Sequence, residues 1–295
     1  ISKKIGQDSE GFPIFKRDKD NHITDIIDHD LDIIYSDYLC FTKGNLKESE
    51  YRFCIQKSEI DSLLRINPQV YLPNLNETIR RIESIDGKAG WSVTTLGQIE
   101  SNIRIFKGPR LKSENLIVDK VGENIEPYYT PSAVLQEKGE SVKLLNISYA
   151  TRNQLNTIDA VRVYTGDIVV TRSGTIGRAA YITQRLNRAI VSDDLIRVRI
   201  TDERLRMYVY AFLQSKAALD QMERNEYGAV QQHLEPTHIA NIMIPIPENW
   251  NAVKELIDNT INYIQLKENL DISNKELGKS TEDLLKELQI IQVKE

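Results

Sequence analysis

Short apolar runs separated by turn residues dominate the chain from Trp91 to Pro247, and this pattern constrains the fold more than any other feature. Each run is four to six residues long, and Gly, Asn, Asp and Pro lie between the runs. Such spacing is typical of β-strands. The predicted strands are Val93–Leu96, Leu144–Ile147, Ile168–Thr171, Ala179–Ile182, Leu195–Ile200 and Ile242–Ile246. One helix, at Arg204–Arg224, is predicted among them, because its apolar residues recur every three or four positions.

After Pro247 the apolar spacing changes to that of a long helix. A stripe of Val, Ile and Leu runs from Val253 to Ile291, and its second half has the heptad spacing of a coiled coil. Three residues interrupt the register: Asp271, Ser273 and Gly278. We therefore expect a kink or two helices instead of one unbroken rod. The stripe needs an apolar partner, either another subunit's helix or a helix upstream of this sequence.

The segment before Trp91 has a different composition. Residues 10–25 are predicted to form a hairpin with a polar turn at Asp18–Asn21, Ser58–Leu64 a short helix, and Asn74 is expected to cap a helix that ends at Gly87. Two glycines within Gly87–Gly90 indicate a boundary. We therefore predict three domains or segments, comprising residues 1–90, 91–249 and 250–295.

Several functional classes are disfavoured by what the sequence lacks. It contains no apolar run long enough to span a bilayer and no apolar signal segment near Ile1, so we expect a cytoplasmic chain without a membrane partner. Cys40 and Cys54 form no disulfide framework, and the four histidines lack metal-ligand spacing, so we expect no metal site. Glycine-rich nucleotide loops and paired nuclease carboxylates are also missing. We therefore expect no catalytic residues.

The charge distribution points to one part of the chain. The formal net charge of −5 argues against nucleic acid, because phosphate binding requires Lys and Arg. Residues 152–199, however, contain eight arginines, no lysine and four acidic residues. A guanidinium group binds a phosphate or the acceptor edge of guanine through two hydrogen bonds, so this window favours a DNA-binding surface. The alternative is a solvated strand face with paired arginines.

Four segments together resemble the target recognition domain of type I restriction-modification specificity subunits. They are Trp91–Ile99, Gly166–Arg178, Ser192–Arg197, and Gly228–His233 followed by Ile242–Pro247. The resemblance covers about residues 91–290. It implies an α+β fold with a mostly antiparallel, twisted sheet and a long C-terminal helical segment of coiled-coil type. It also implies double-stranded DNA and a methyltransferase domain or subunit as partners, with a sister helix or a homodimer contact at 250–295.

The segment before the recognition domain carries a second resemblance. Lys4–Phe15 and Tyr51–Ile55 are similar to the tail of an adenine-amino DNA methyltransferase. Specificity subunits have two recognition domains and two long helices, whereas this sequence has one of each. The resemblance therefore implies a recognition domain fused behind a methyltransferase. S-adenosylmethionine is expected only for that associated methyltransferase, and no cofactor is expected in this chain.

Candidate DNA-binding residues fall in separate loops. The glycine-containing loop after the strand at Ile168–Thr171 would present its polar side chains to DNA with little bulk between backbone and phosphate. Glutamine amides can read adenine. The candidates are Arg152, Arg172, Ser173, Thr175, Arg178, Gln231, Gln232 and His233. We expect Arg152 and Arg178 to contact phosphates and Arg172, Gln231 and Gln232 to contact bases. For Arg172 the alternative is a buried salt bridge to Asp167, and for the glutamines an inert surface position. His233 could equally cap or pack.

The sequence therefore predicts a sequence-specific DNA recognition module of a restriction-modification system. It would direct an adenine-amino methyltransferase, and any attached restriction activity, to the target site without catalysing a reaction itself. Two alternatives remain open. The chain could be the C-terminal part of a modification or restriction enzyme with active residues in 1–90, or a helical scaffold protein that binds no DNA.

Overall fold

A computed structural model of the chain describes residues 6–8, 10–49, 52–60, 68–135, 142–174, 176–225 and 233–287. The chain divides into two compact units, Ile1–Glu77 and Thr78–Glu295. In the described part of the chain, no helix is long and apolar enough to cross a membrane.

The described residues form twelve strands and eight α-helices. The helices are α1 (Leu31–Thr42), α2 (Pro73–Glu83), α3 (Pro131–Leu135), α4 (Arg152–Ala160), α5 (Glu203–Leu213), α6 (Lys216–Asn225), α7 (Pro236–Ala240) and α8 (Lys254–Glu287). The strands are β1 (Phe15–Arg17), β2 (Ile23–Ile27), β3 (Trp91–Thr95), β4 (Arg104–Lys107), β5 (Ile117–Val118), β6 (Ile125–Tyr129), β7 (Lys143–Asn146), β8 (Ile168–Thr171), β9 (Ala179–Tyr181), β10 (Ile190–Val191), β11 (Leu195–Arg199) and β12 (Met243–Pro247).

Strand pairing in the larger unit is mostly antiparallel, as the sequence predicts. One sheet has the order β10-β6-β7-β5 and a second the order β4-β11-β8-β9, while β12 pairs with β3. Only β10 and β6 are parallel neighbours among the described strands. With its flanking helices this arrangement is an α+β fold, so the predicted fold class is confirmed.

Strands β8 and β11 lie at the centre of the larger unit and are buried on both faces. Ile168 and Val170 of β8 belong to a cluster that α5, α7 and the first half of α8 complete. Val169, which points to the opposite face, belongs to a second cluster with Leu195 of β11. Side chains alternate across a strand, so a continuous apolar run is what a doubly covered strand requires. The loops at the ends of these strands therefore start from a rigid support.

The smaller unit begins with the predicted hairpin. Strands β1 and β2 pair antiparallel, and the turn between them is held by Asp18, whose Oδ1 accepts hydrogen bonds from the backbone N–H groups of Asp20 and His22 at 2.9 and 2.8 Å. Helix α1 follows and contains no buried residue. Its apolar side chains, among them Leu31, Tyr35 and Tyr38, are exposed. The predicted helix at Ser58–Leu64 lies mostly outside the described residues.

Two helix predictions are wrong in their boundaries. The helix predicted at Arg204–Arg224 is two helices, because α5 ends at Leu213 and the Ser215 hydroxyl accepts a hydrogen bond from the Ala218 N–H at 3.3 Å in the first turn of α6. A serine that satisfies a first-turn N–H starts a new helix. The helix that Asn74 is expected to cap, and that is expected to end at Gly87, instead runs from Pro73 to Glu83, so Asn74 lies inside its first turn.

The prediction of a kink or two helices in the C-terminal segment is also wrong, since α8 is one helix of 34 residues. Asp271 does not break it, because its carboxylate is bound by Arg185 at 3.0 Å. An added Cβ at Gly278 would meet nothing within 4 Å. A glycine in a helix interior costs only about 1 kcal/mol relative to alanine, so the helix continues.

Candidate nucleic-acid interface

A cleft of about 780 Å³ lies where β8 ends, between the two four-stranded sheets. One wall is the loop after β8 together with the loop between β10 and β11, and the other is the segment before β5 with the edge formed by β6, α3 and β7. The lining residues with polar or charged side chains include Arg110, Glu114, Tyr128, Lys143, Arg172, Ser173, Asp193, Asp194 and His233. The cleft therefore gathers three of the predicted DNA-binding residues, namely Arg172, Ser173 and His233.

Backbone hydrogen bonds close the loop between β8 and β9. The Thr171 N–H donates to the Arg178 carbonyl at 2.9 Å, and the Thr171 carbonyl accepts from the Gly177 N–H at 3.0 Å. Gly174 and Gly177 have φ of 72° and 77°, a region that side chains disfavour. The loop can turn this tightly because glycine occupies both positions. Ser173 is consequently held at the cleft.

Arg172 is held by ion pairs on one side of the cleft. Its Nη2 donates to Glu235 Oε1 at 2.6 Å, and its Nη1 lies 3.8 Å from Asp194 Oδ1. Asp167, the alternative partner considered from the sequence, instead binds Arg199 through two bonds of 2.7 and 2.8 Å. Arg172 therefore forms a salt bridge, as the alternative proposed, but its partners are Glu235 and Asp194 and not Asp167.

The facing wall carries basic residues that the sequence reasoning missed. Arg110 and Lys143 line the cleft, are exposed, and form no salt bridge within the described residues. Tyr128 of β6 lies on this same wall. Burial raises the pKa of its hydroxyl, a hydrogen bond with Ser192 opposes this, and the carboxylates of Asp193 and Asp194 raise it further. The region from Lys107 to Tyr129 shows no strong strand pattern, so only its lysines and arginines could have drawn attention to it.

A second cleft, of about 520 Å³, adjoins the first through Ser132 and Leu135, which line both. It is lined by Arg178 after the β8–β9 loop and by Tyr263 and Lys267 of α8. Its described lining contains two cations and no carboxylate. An electropositive groove of this kind suits a phosphate group.

The other predicted residues are dispersed. Arg152 is the first residue of α4, exposed, and absent from the described lining of both clefts. Its helix starts with a capping box, in which Thr151 and Gln154 bond reciprocally. Thr175, Gln231 and Gln232 lie outside the residues that the structure describes.

The arginine-rich window has two roles. Arg162, Arg172, Arg185 and Arg199 form salt bridges, and Arg197 is buried. The hydrogen bond from Arg162 to Glu126 is the main cause that raises its pKa. The remaining three arginines, Arg152, Arg178 and Arg188, are exposed and have no salt bridge among the described residues. The alternative of paired arginines therefore describes most of this window, and three exposed arginines remain available to a DNA-binding surface.

Side chains that could bind a metal ion lie together at one place in the part of the chain that the structure describes. Asp18, Asp20 and His22 have ligand atoms within 4.8 Å of one another, and all three are exposed in the β1–β2 turn. The hydrogen bonds that Asp18 accepts explain why these residues lie together.

Basic and hydroxyl side chains at strand ends, on a rigid sheet and beside an electropositive groove, define a domain suited to nucleic-acid recognition. The chain belongs to the type I restriction modification DNA specificity domain family, whose sequence profile matches residues 88–274. The description of this family is that of a DNA specificity domain. The resemblance of residues 91–290 to the recognition domain of specificity subunits is confirmed, whereas the similarity of the preceding segment to a methyltransferase tail stays a prediction. No curated protein sequence matches the chain.

Several solved structures are similar. One is a structure from work on the complex assembly and conformational transition of the type I R-M system. Its chain has 15% sequence identity and a TM-score of 0.41, with 73% of this chain and 50% of that chain covered. The HsdS subunit from Thermoanaerobacter tengcongensis has 14% identity and a TM-score of 0.41, with coverages of 68% and 46%. The type IIG restriction endonuclease BpuSI has 12% identity and a TM-score of 0.44, with coverages of 65% and 28%. The chain spans about half the length of the first two.

Proposed function

We propose that the two adjoining clefts bind duplex DNA and that the chain thereby directs an adenine-amino methyltransferase, and any attached restriction activity, to its target. The observation that carries this proposal is that Arg172, Ser173 and His233 meet Arg110 and Lys143, two cations with no salt bridge among the described residues, around one cleft. These residues come from four separate stretches of sequence. Surface cations without internal partners are available to phosphates.

Within this proposal, positioning and reading are divided between residues. Arg178 and Lys267 in the second cleft, and Arg152 on α4, would hold phosphates. Gln231 and Gln232 would read bases, as the sequence predicts. Thr175 lies between β8 and β9 in sequence, as Ser173 does, and would contact the DNA backbone. Phosphate contacts set the register of a protein on DNA, while base contacts set its sequence preference.

The partners of the chain follow from its exposed apolar residues. Leu277 and Leu284 on the distal part of α8 are exposed and seven residues apart, so a helix from a methyltransferase subunit or from a second copy would pack there. In the smaller unit, the exposed apolar side chains of β1, β2 and α1 would pack against the methyltransferase domain to which residues 1–90 are proposed to belong. S-adenosylmethionine would bind to that methyltransferase and not to this chain.

Binding to duplexes with randomised centres tests the proposal. The chain should enrich a defined sequence, and Arg110→Ala or Lys143→Ala should weaken binding to all duplexes and lower the slope of log affinity against log salt by about one unit each. Fluorescence anisotropy at several salt concentrations measures this. The matched control is Lys275→Ala, since Lys275 is exposed on α8 and is not among the described residues of either cleft. If all three variants keep the wild-type slope, DNA binds elsewhere. A chain that binds no duplex would support the scaffold alternative.

A further inference from the structure

Arg172 connects three segments of the recognition domain through its backbone. It directly follows β8, its N–H donates to the Asp194 carbonyl at 2.9 Å, and its carbonyl accepts from the Leu234 N–H at 3.0 Å. The end of β8, the loop between β10 and β11, and the segment before α7 therefore meet at one residue. All three segments contribute to the first cleft.

The side chain of Arg172 binds two of the same segments. Its guanidinium donates to Glu235 at 2.6 Å and faces Asp194 at 3.8 Å, and only 14% of the side chain is exposed. Lys107 Nζ, on β4, lies 3.3 Å from the second Glu235 oxygen. Glu235 also precedes α7 in a capping box with His238. The planar guanidinium can bind two carboxylates at once, which a lysine ammonium does less well.

These contacts are poorly suited to a residue that reads bases. To contact guanine, the guanidinium would have to leave Glu235, and a partly buried carboxylate would lose the shorter of its two described ion pairs and keep the one with Lys107. The segment that Arg172 fixes is the one that contains His233 and directly follows Gln231 and Gln232 in sequence. Fixing this segment holds His233 at the first cleft.

We propose that Arg172 is a positioning residue for the DNA-reading surface, acting through Glu235 and Asp194 and not through contact with bases. This inference rests on the proposed function, because it assigns a role within the same cleft. It revises the sequence-based expectation that Arg172 contacts a base. Glu235, which no sequence pattern singled out, becomes a determinant of specificity.

A double-mutant cycle on the full chain separates positioning from reading. The probe is the duplex that wild type enriches from a randomised pool, compared with random duplex at matched salt. If Arg172 positions, Arg172→Ala lowers the ratio of specific to random affinity by about tenfold, Glu235→Gln lowers it in the same direction, and the double variant loses little more, since both act through one contact. If Arg172 reads, Glu235→Gln frees the guanidinium and keeps or raises the specific affinity. That result overturns the proposal.

Two further variants keep the test decisive. Arg185→Ala removes an arginine that is also in a salt bridge, with Asp271 at 3.0 Å, outside the first cleft. It should change the thermal midpoint and leave the affinity ratio unchanged. Arg172→Lys keeps the charge and serves where Arg172→Ala does not fold, and it too should lower the ratio. A wild-type chain that enriches no sequence removes the proposed function and this role with it, whereas enrichment with an unchanged ratio in Arg172→Lys and Glu235→Gln removes only this role.

Discussion

Arg197 places a positive charge inside the hydrophobic core. The residue is 2% exposed, its Nη1 donates to the carbonyls of Ala160 and Arg162 at 2.9 and 3.0 Å, and its guanidinium carbon lies 4.7 Å from the centre of the Phe106 ring. Burial lowers the pKa of this guanidinium. Ala160 ends α4, so the cation also satisfies a carbonyl at a helix C-terminus. Arg197 thus attaches α4 to β11 and is unavailable to DNA.

The close packing around Arg197 yields a stability prediction for Gly108. A Cβ at this position would collide with the Arg197 guanidinium and lie 2.8 Å from Val161 Cγ1. Gly108→Ala should therefore lower the free energy of unfolding by about 1–3 kcal/mol, as overpacking does. Urea denaturation measures it. The control is Gly278→Ala in the open part of α8, which should raise stability by up to about 1 kcal/mol. Equal midpoints for both variants would contradict the geometry at Gly108.

Tyr208 should make stability depend on pH in the alkaline range. Its hydroxyl donates to the Pro245 carbonyl at 2.5 Å, and burial raises its pKa from 10.0 to about 12. The unfolded chain ionises this group near pH 10, whereas the folded chain retains the proton to about pH 12, so stability is full below pH 10 and is lost as pH rises through this window.

The variant Tyr208→Phe tests this dependence. It should be less stable at pH 7 by about 1 kcal/mol, because the Pro245 carbonyl loses its donor, and should lose less stability between pH 10 and 12. Thermal midpoints across this range give the answer. Tyr149→Phe, at an exposed position, should keep the wild-type pH dependence. If the thermal midpoints of Tyr208→Phe and wild type fall in parallel between pH 10 and 12, Tyr208 does not contribute to the pH dependence of stability.

At the scale of elements, α8 has two parts with different surroundings. Ile257 and Ile264 are buried in the domain core, whereas Leu277 and Leu284 are exposed. Ile257→Glu with Ile264→Glu should destabilise the fold by about 3 kcal/mol or more, since each buries a charge. Leu277→Glu with Leu284→Glu should change the thermal midpoint little and should reduce helix-mediated assembly. Calorimetry and light scattering distinguish the two outcomes, and a large drop in midpoint for the distal pair would contradict its exposure.

An element could be predicted from the sequence when most of its residues are buried, because burial leaves a clear apolar pattern. Strand β8 was predicted with its correct bounds, because all four residues are buried and the apolar run is unbroken. Strand β4 was missed, since charged residues at Arg104 and Lys107 flank only two apolar ones. Helix α4 was missed because Ile158 is its only buried residue, although the capping box at Thr151 and Gln154 was a usable signal.

The site was less predictable than the fold because it depends on contacts between distant segments. Arginines could be identified from sequence, but their partners could not. Arg172 and Glu235 are separated by more than sixty positions, and the periodicity of neither segment indicates that they meet. Arg110 and Lys143 reach the cleft from two further segments.

At the scale of the whole molecule, the predicted absence of catalysis can be tested directly. The chain has no glycine-rich cofactor loop. The sequence Asn-Pro-Gln-Val-Tyr at Asn67–Tyr71 resembles the Asn-Pro-Pro-Tyr loop with which adenine-amino methyltransferases hold the target nitrogen, but it lacks the second proline. We expect no heat of S-adenosylmethionine binding in calorimetry and no transfer of labelled methyl groups to duplex DNA. Binding in the micromolar range, or methyl transfer, would favour the alternative in which residues 1–90 hold an active site.

Helix α8 is held to the recognition domain by contacts along its first half and extends beyond the last of these contacts. Contacts with the core and with Arg185 anchor the helix as far as Asp271, and the sixteen residues from there to Glu287 extend it by about 24 Å at 1.5 Å per residue. A tilt of about 10° at Asp271 would displace Glu287 by about 4 Å. Tyr263 and Lys267, which line the second cleft, lie on the anchored part. Because the second cleft and the distal leucines share one continuous helix, a small tilt of that helix at the cleft would be a larger displacement at Glu287.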